Sequence, residues 1–210
     1  MIPAELAAEL AELTDVSRET LQRFEAMQAL LERWTPRINL VSRATLASYW
    51  TRHVLDSAQL WPLRPPGARK WVDLGSGAGF PGLVIAMIAK EVAPDLDVVL
   101  VESDSRKAAY LAAVARETGI APRLINTRVE HVASLQADVL SARALAPLAD
   151  LLDMAGMHRR PDGICLFPKG RAVHKEMEAA RVRWVFSTTE HRSMTDPTAT
   201  ILEIGAMHRV

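Results

Sequence analysis

Apolar residues recur with two different periods along the chain, and the change divides it into two parts. Before residue 70 the spacing is helical, as in the run 21–34 that follows the cap-like Ser17. Residues 49–58 predict a further helix that ends before Pro62. The Pro- and Gly-containing segment 65–68 then predicts a linker into a first strand.

After residue 70, short runs rich in β-branched residues alternate with helix-like segments. Strands are predicted at 71–74, 98–102, 123–127, 138–142 and 163–168, and helices at 82–90, 106–118, 148–157 and 172–182. Segments 184–189 and 200–204 flank a turn-rich stretch and predict a terminal hairpin. We therefore predict an α/β, Rossmann-like fold with a seven-stranded, mostly parallel sheet covered by helices on both faces. Residues 1–66 would form an N-terminal helical extension, and residues 67–210 one compact domain.

The first predicted strand runs into a glycine-rich turn. Residues 73–82 read Asp-Leu-Gly-Ser-Gly-Ala-Gly-Phe-Pro-Gly and place four glycines within eight positions. Glycine tolerates positive φ and lets a backbone approach another group closely. This turn therefore predicts either a ligand-binding loop or very close packing of a strand against a helix.

Two nucleoside cofactors are compatible with this loop. Residues 77–82 formally match the GxGxxG of dinucleotide-binding proteins, whereas 73–79 match the pattern of S-adenosylmethionine (SAM) methyltransferases. Glu102, at the end of the second predicted strand and 23 positions after Gly79, could accept hydrogen bonds from ribose in either case. Asp73 favours SAM, because it could hold the amino-acid end of SAM, directly or through water, and would repel a pyrophosphate.

Composition narrows the classes of function. The 210 residues are 49% hydrophobic and 24% charged, as in an ordinary globular protein, and the formal net charge of zero makes any RNA binding depend on a local patch. The single cysteine, Cys165, lies in an apolar run and predicts a buried, inert thiol. Glutamates interrupt the N-terminal apolar residues, so we expect neither a signal peptide nor a membrane span, and predict a cytoplasmic protein.

Further motifs extend over nearly the whole chain. They are Asn39-Leu40, residues 52–57 (Arg-His-Val-Leu-Asp-Ser), the glycine-rich 73–82, residues 128–130 (Arg-Val-Glu), residues 141–144 (Ser-Ala-Arg-Ala) and Lys169-Gly170. With these motifs the chain resembles the RsmG (GidB) family, bacterial methyltransferases that modify N7 of a guanine in 16S rRNA of the small ribosomal subunit. The resemblance implies a class I SAM-dependent methyltransferase fold and SAM as the cofactor. The chain departs from the family pattern in Pro168 before Lys169, and in Glu102 where aspartate is frequent.

The resemblance and the loop together imply site residues. We expect cofactor contacts at Asp73, Gly75, Gly77, Gly79, Phe80, Glu102, Val129, Glu130 and Arg143. Val129 would supply an apolar wall and Glu130 an acceptor for the adenine amino group. RNA contacts are expected at His53, Lys169 and Arg171, within a wider basic set of Arg37, Arg43, Arg52, Arg106 and Lys107. Arg52 with Asp56, and His53 with Ser57, could instead pair within one helix at i and i+4.

The implied chemistry requires no general base. Guanine N7 carries an in-plane lone pair and can attack a methyl group without first losing a proton, so we expect catalysis by positioning, with Arg143 and Lys169 as candidates. We expect no metal, no membrane and a monomer, with 16S rRNA in the small subunit as the partner. A SAM methyltransferase for a small molecule, a non-catalytic nucleoside-binding regulatory module and an NAD(P)-dependent oxidoreductase remain alternatives.

Overall fold

A single seven-stranded sheet organises the chain in a computed structural model, which describes residues 2–210 apart from the side chain of Arg43. The strands are β1 (Lys70–Leu74), β2 (Asp97–Val101), β3 (Arg123–Ile125), β4 (Ala137–Ala142), β5 (Arg159–Lys169), β6 (Trp184–Arg192) and β7 (Thr200–Arg209). Their order is β3-β2-β1-β4-β5-β7-β6. The first five strands are parallel and β7 is antiparallel to both of its neighbours, which confirms the predicted fold class and the terminal hairpin.

Helices precede the sheet and connect its strands. The N-terminal part contains α1 (Ala4–Leu13), α2 (Arg18–Ile38), α3 (Arg43–Ala47), a π-helical turn (Trp50–Leu55), α4 (Asp56–Ala58) and a 3₁₀ turn (Trp61–Leu63). The remaining helices are α5 (Gly82–Val92), α6 (Ser105–Thr118), a 3₁₀ turn (Val129–His131), α7 (Leu148–His158) and α8 (Val173–Arg181). These helices cover both faces of the sheet.

Two hydrophobic cores form because side chains alternate between the faces of each strand. Trp71 and Leu100 contribute to the core beneath α2, α5 and α6, while Val72 and Leu74 contribute to the core beneath α7 and α8. The N-terminal helices join the first core, where Phe24 is fully buried. The division into residues 1–66 and 67–210 stays a prediction.

Several boundaries differ from the sequence-based expectation. Helices α1 and α3 were not predicted, and the helix expected at 49–58 contains a π-helical turn, in which an extra residue per turn rotates the side chains that follow. Strand β5 begins at Arg159 rather than at 163, because its pairing with β4 continues across a register shift between Ala137 and Val139. Tertiary pairing of this kind leaves no periodic signal in the strand itself.

Other expectations concern membranes, metals and the cysteine. Among residues 2–210, no helix combines the length and apolarity needed to cross a bilayer. Over the same range, His, Cys, Asp and Glu side chains form no group suited to a metal ion. Cys165 is fully buried, as predicted, and burial raises the pKa of its thiol to about 12.

Candidate functional site

The carboxyl ends of the five parallel strands carry most of the predicted site residues. In sheet order these are Val129 and Glu130 after β3, Glu102 after β2, the glycine-rich loop after β1, Arg143 after β4 and Lys169 at the end of β5. Neighbouring strands lie about 4.8 Å apart, so the residues form one row along this edge. Open α/β sheets bind their ligands at this edge.

The glycine-rich loop combines an open face with close packing. Gly75, Gly77 and Gly79 have φ values of 65°, 54° and 90°. A Cβ atom at Gly77 would meet only the carbonyl oxygen of Gly75, at 3.7 Å, so this position faces open space. A Cβ atom at Gly82 would overlap the side chains of Leu100 and Asp73. The loop thus packs α5 tightly against the sheet and leaves room for a ligand above Gly77.

Asp73, at the first position of the glycine-rich loop, fixes the loop through hydrogen bonds to its carboxylate. Its Oδ1 accepts a hydrogen bond from Ser141 Oγ at 2.7 Å and its Oδ2 accepts one from the Gly82 amide at 3.2 Å. Ser141 Oγ in turn accepts a hydrogen bond from Trp71 Nε1 at 2.9 Å. Burial raises the pKa of Asp73 to about 6, against the opposing effect of its hydrogen bonds. Because both oxygens face protein donors, the contact between Asp73 and the amino-acid end of SAM stays a prediction.

Glu102, which follows β2, also binds the glycine-rich loop through its carboxylate. Its Oε2 accepts a hydrogen bond from the Gly77 amide at 2.8 Å, and its Oε1 accepts one from the Asp104 amide at 2.7 Å. A carboxylate oxygen has a second lone pair, so ribose hydroxyls could still donate to Glu102. Val129, which is buried, and Glu130, which is exposed, follow on the next strand. An open glycine face, an adjacent carboxylate and an apolar wall suit the nucleoside of SAM.

A second cluster lies beside the loop and surrounds Arg143. The Arg143 guanidinium donates hydrogen bonds to Asp56 Oδ2 and to the Arg52 carbonyl, both at 3.1 Å. It also lies 3.2 Å from His53 Nδ1 and 5.1 Å from the Phe80 ring centroid. The His53 ring stacks on Phe80 at 4.6 Å between centroids. Arg143, His53 and Phe80 are therefore brought together as one unit.

The contact with Arg143 defines the protonation of His53. A guanidinium has no acceptor, so His53 Nδ1 must accept and the ring proton resides on Nε2. Burial, reinforced by Arg143 and Arg52, lowers the pKa of His53 to about 4. His53 is consequently neutral at physiological pH, and neither ring nitrogen is free to take up a proton.

A cavity of about 830 Å³ opens next to this cluster. It is lined by Thr45, Arg52, His53, Asp56, Arg143, Ala144, Leu145, Ala146, Pro147, Pro168, Lys169, Gly170, Glu176, Asp196 and Ala199. Each lining cation is paired with a carboxylate in Arg52–Asp196 (3.1 Å), Arg143–Asp56 (3.1 Å) and Lys169–Glu176 (2.8 Å). The cavity wall is therefore charged but balanced.

The contacts of Arg52 and Ser57 decide the alternative that these residues pair within one helix. Arg52 binds Asp196 rather than Asp56, because the π-helical turn and the hairpin loop bring distant residues together. Ser57 Oγ donates to the backbone carbonyl of His53 at 2.6 Å, not to its ring. Arg52 and Asp56 therefore do not pair with each other, whereas Ser57 and His53 do pair within the helix, through the His53 carbonyl.

The structure also shows where the other basic residues expected to contact RNA lie. Lys169 is largely buried, with 9% of its side chain exposed, whereas Arg171 is exposed beyond the end of β5. Arg37 is exposed at the end of α2, and Arg106 pairs with Asp104. The Arg43 side chain lies outside the described atoms. RNA contacts by these residues stay predictions.

Several residues of the site were not identified from sequence, among them Asp196 in the hairpin loop. Asp56 and Ser141 belong to the motifs at 52–57 and 141–144, which could have drawn attention to them. Leu145, near Gly75, and Glu176, on α8, carry no comparable signal. Their roles depend on contacts between distant segments.

Comparison with known proteins decides the family. Residues 20–203 match the family model described as rRNA small subunit methyltransferase G. The chain belongs to that family. This confirms the resemblance drawn from the sequence motifs.

Members of the rRNA small subunit methyltransferase G family with similar sequences cover nearly the whole chain. A protein of that name from Cereibacter sphaeroides is 48% identical over 201 residues, 96% of this chain and 97% of the relative. Another, from Paramagnetospirillum magneticum, is 50% identical over 201 residues, 96% of each chain. The similarity therefore covers nearly the full length of this chain and of each relative.

Solved structures support the class I SAM methyltransferase fold of this family member. An O-methyltransferase from Bacillus cereus in complex with SAH has a TM-score of 0.59 at 13% identity, covering 93% of this chain and 94% of that one. The O-methyltransferase TomG from Streptomyces achromogenes, in complex with SAM, has a TM-score of 0.54 at 13% identity and covers 92% of each chain. At this identity the likeness concerns the fold alone.

Replacement of Gly77 by Val should abolish SAM binding. The new side chain would project into the open space of the loop and would also adopt an unfavourable positive φ. Isothermal titration calorimetry with SAM and with NAD checks this, and wild type should bind only SAM. Gly119→Val is the matched control, since Gly119 has a φ of 65° and open surroundings at the end of α6. Equal SAM affinity of wild type and Gly77→Val would refute the role of the loop.

Proposed function

We propose that this family member transfers a methyl group from SAM to N7 of a guanine in 16S rRNA. Membership of the rRNA small subunit methyltransferase G family supports the reaction class and the RNA. The row of residues along the sheet edge supports an orientation for SAM, with adenosine toward Glu102 and Val129 and the amino-acid end toward Gly75. Arg143 and the adjacent cavity then lie on the substrate side.

The observation that carries the choice of N7 is the state of the cavity's titratable groups. Arg52, Arg143 and Lys169 are each paired with a carboxylate, and His53 is neutral with Nδ1 engaged. A target that must lose a proton before it attacks would require a base, and each titratable group of the lining already has a partner. Guanine N7 attacks through its own lone pair, so positioning is sufficient.

The charge balance of the cavity is compatible with an N7-methylated guanine, which carries a positive charge. SAM supplies an electrophilic methyl group on a positively charged sulfonium, and methylation transfers that positive charge to the purine. Asp56, Glu176 and Asp196 balance the three cations of the cavity wall, so the wall carries no excess positive charge that would oppose a cationic purine. His53 and Phe80 contribute by fixing the Arg143 guanidinium.

The rate of methyl transfer should show no pH dependence that belongs to His53. With a pKa of about 4, His53 stays neutral as the pH rises from 5.5 to 8, so its charge does not change in this range. Asp73, whose pKa is raised to about 6 by burial, becomes protonated as the pH falls through 6, so any acid limb of the rate near this pH belongs to Asp73 and should persist in His53→Ala.

Single-turnover transfer with saturating SAM and small subunits, measured across this pH range, checks the base-free mechanism. His53→Ala should lower the rate or the affinity for subunits without changing the profile, and His174→Ala, an exposed histidine, serves as the control. An acid limb present in wild type and lost in His53→Ala would contradict a base-free reaction.

The methyl group should appear at guanine N7, and on subunits more readily than on short hairpins. A chain with a net charge of zero and a balanced cavity lacks the broad counterion release that drives binding to isolated RNA. The test incubates labelled SAM with unmodified small subunits or with rRNA hairpins and maps the methyl group by nuclease digestion and mass spectrometry. Methylation at another atom would refute the N7 assignment, and equal rates on bare hairpins would refute the preference for subunits.

The same substrate implies the setting in which the protein acts. We expect it to work as a monomer on small subunits in the cytoplasm. A methyltransferase for small molecules would label a metabolite extract in place of subunits, and a regulatory module would bind SAM without transferring a methyl group to either.

A further inference from the structure

The loop between β4 and α7, residues 143–147, separates the proposed cofactor cradle from the cavity. The loop begins with Arg143. Leu145 packs against the glycine-rich loop, and its Cδ1 lies 2.5 Å from the point that a Cβ atom on Gly75 would occupy. Ala144 has a φ of 52°, a conformation that residues other than glycine adopt only when their surroundings enforce it. Some contact must therefore hold this loop in place.

Lys169 and Glu176 make that contact. Lys169 Nζ donates to the carbonyl of Ala146 at 3.1 Å and to Glu176 Oε2 at 2.8 Å. The same Oε2 accepts a hydrogen bond from the Leu148 amide at 2.9 Å, at the first residue of α7. One carboxylate oxygen on α8 thus joins the end of β5 to the end of the 143–147 loop.

We propose that Glu176 is a positioning residue for methyl transfer and acts by holding Lys169 and the loop 143–147. The inference rests on the proposed function for the reaction whose rate it affects. With the loop held at Ala146 and Leu148, Arg143 and Leu145 keep their places between cofactor and target. Catalysis that depends on alignment is sensitive to displacements of about 1 Å.

The proposal favours one of the two roles expected for Lys169, positioning, over the other, an RNA contact. Its ammonium was expected to contact RNA, yet its side chain is 9% exposed and bound to two partners. The two roles predict opposite effects for Glu176→Ala. If Lys169 binds a phosphate, removal of Glu176 frees the ammonium and strengthens RNA binding. If the pair holds the loop, removal of either partner lowers the rate.

The experiment compares Glu176→Ala, Lys169→Met and the double variant with the wild type. Glu176→Gln is the milder variant, because the glutamine keeps an acceptor for the Leu148 amide. The matched controls are Glu178→Ala and Lys175→Met, which change exposed residues of the same helix. Circular dichroism and thermal melting establish that each protein is folded.

Two measurements are made on each variant. Hydrogen exchange followed by mass spectrometry reports the protection of the amides in residues 143–148 and requires neither SAM nor RNA. Single-turnover transfer on small subunits at saturating SAM, together with SAM affinity from calorimetry, separates alignment from cofactor binding.

We expect faster exchange in 143–148 and a single-turnover rate at least about tenfold lower in Glu176→Ala and Lys169→Met, with SAM affinity within about threefold of wild type. The double variant should be no slower than the slower single variant, because both changes disrupt one unit. In Glu176→Gln, the exchange in 143–148 should rise and the single-turnover rate should fall, each by less than in Glu176→Ala.

Unchanged exchange in the loop of Glu176→Ala would overturn the proposal, whatever the substrate of the enzyme. A wild-type rate or tighter subunit binding in Glu176→Ala would also overturn it, in favour of a phosphate contact by Lys169. If wild type itself does not methylate subunits, the proposed function fails, while the exchange data still decide whether Glu176 holds the loop.

Discussion

One buried carboxylate connects the parts of the site. Asp73 accepts hydrogen bonds from Ser141 on β4 and from the Gly82 amide at the start of α5, and Ser141 accepts one from Trp71 on β1. An ionised group without water is stable only when such donors surround it. This requirement fixes the glycine-rich loop relative to β4, and Arg143 follows Ser141 by two residues. Asp73, which is 1% exposed, therefore aligns the proposed cofactor cradle with the proposed substrate side.

On the proposed substrate side, the charged side chains of the cavity are paired with one another, which agrees with the proposed transfer without a general base. Arg143 is held by Asp56 and by neutral His53, and Lys169 by Glu176. Such pairs fix side-chain positions, and attack by an existing lone pair depends on positioning. The same pairing keeps the cavity without excess positive charge, so affinity for RNA would come from shape and from the assembled substrate more than from phosphates.

The sequence allowed the α/β fold, the loop and the strand-end positions of Glu102, Arg143 and Lys169 to be predicted, because periodicity and glycine placement are local signals. Partners of these side chains could not be predicted. Arg143 meets Asp56 from 87 positions away, through a π-helical turn that sequence patterns do not distinguish from an α-helix. For Asp73, the residue type indicated a contact with the cofactor, which stays a prediction, but gave no sign of its hydrogen bonds to Ser141 and to the Gly82 amide.

The central claim is that the hydrogen bond from Ser141 to Asp73 fixes the glycine-rich loop in the conformation that binds SAM. The SAM affinity of Ser141→Ala tests this claim most directly. Ser141 is fully buried, and its loss would remove a donor from the carboxylate and raise the pKa of Asp73 further. The account predicts at least about tenfold weaker SAM binding by calorimetry at pH 7.5, because the loop would lose a hydrogen bond of about 1.5–3 kcal/mol that holds it in its binding conformation. Ser187→Ala, an exposed serine on β6, should bind SAM like the wild type. Wild-type affinity in a folded Ser141→Ala protein would contradict the account.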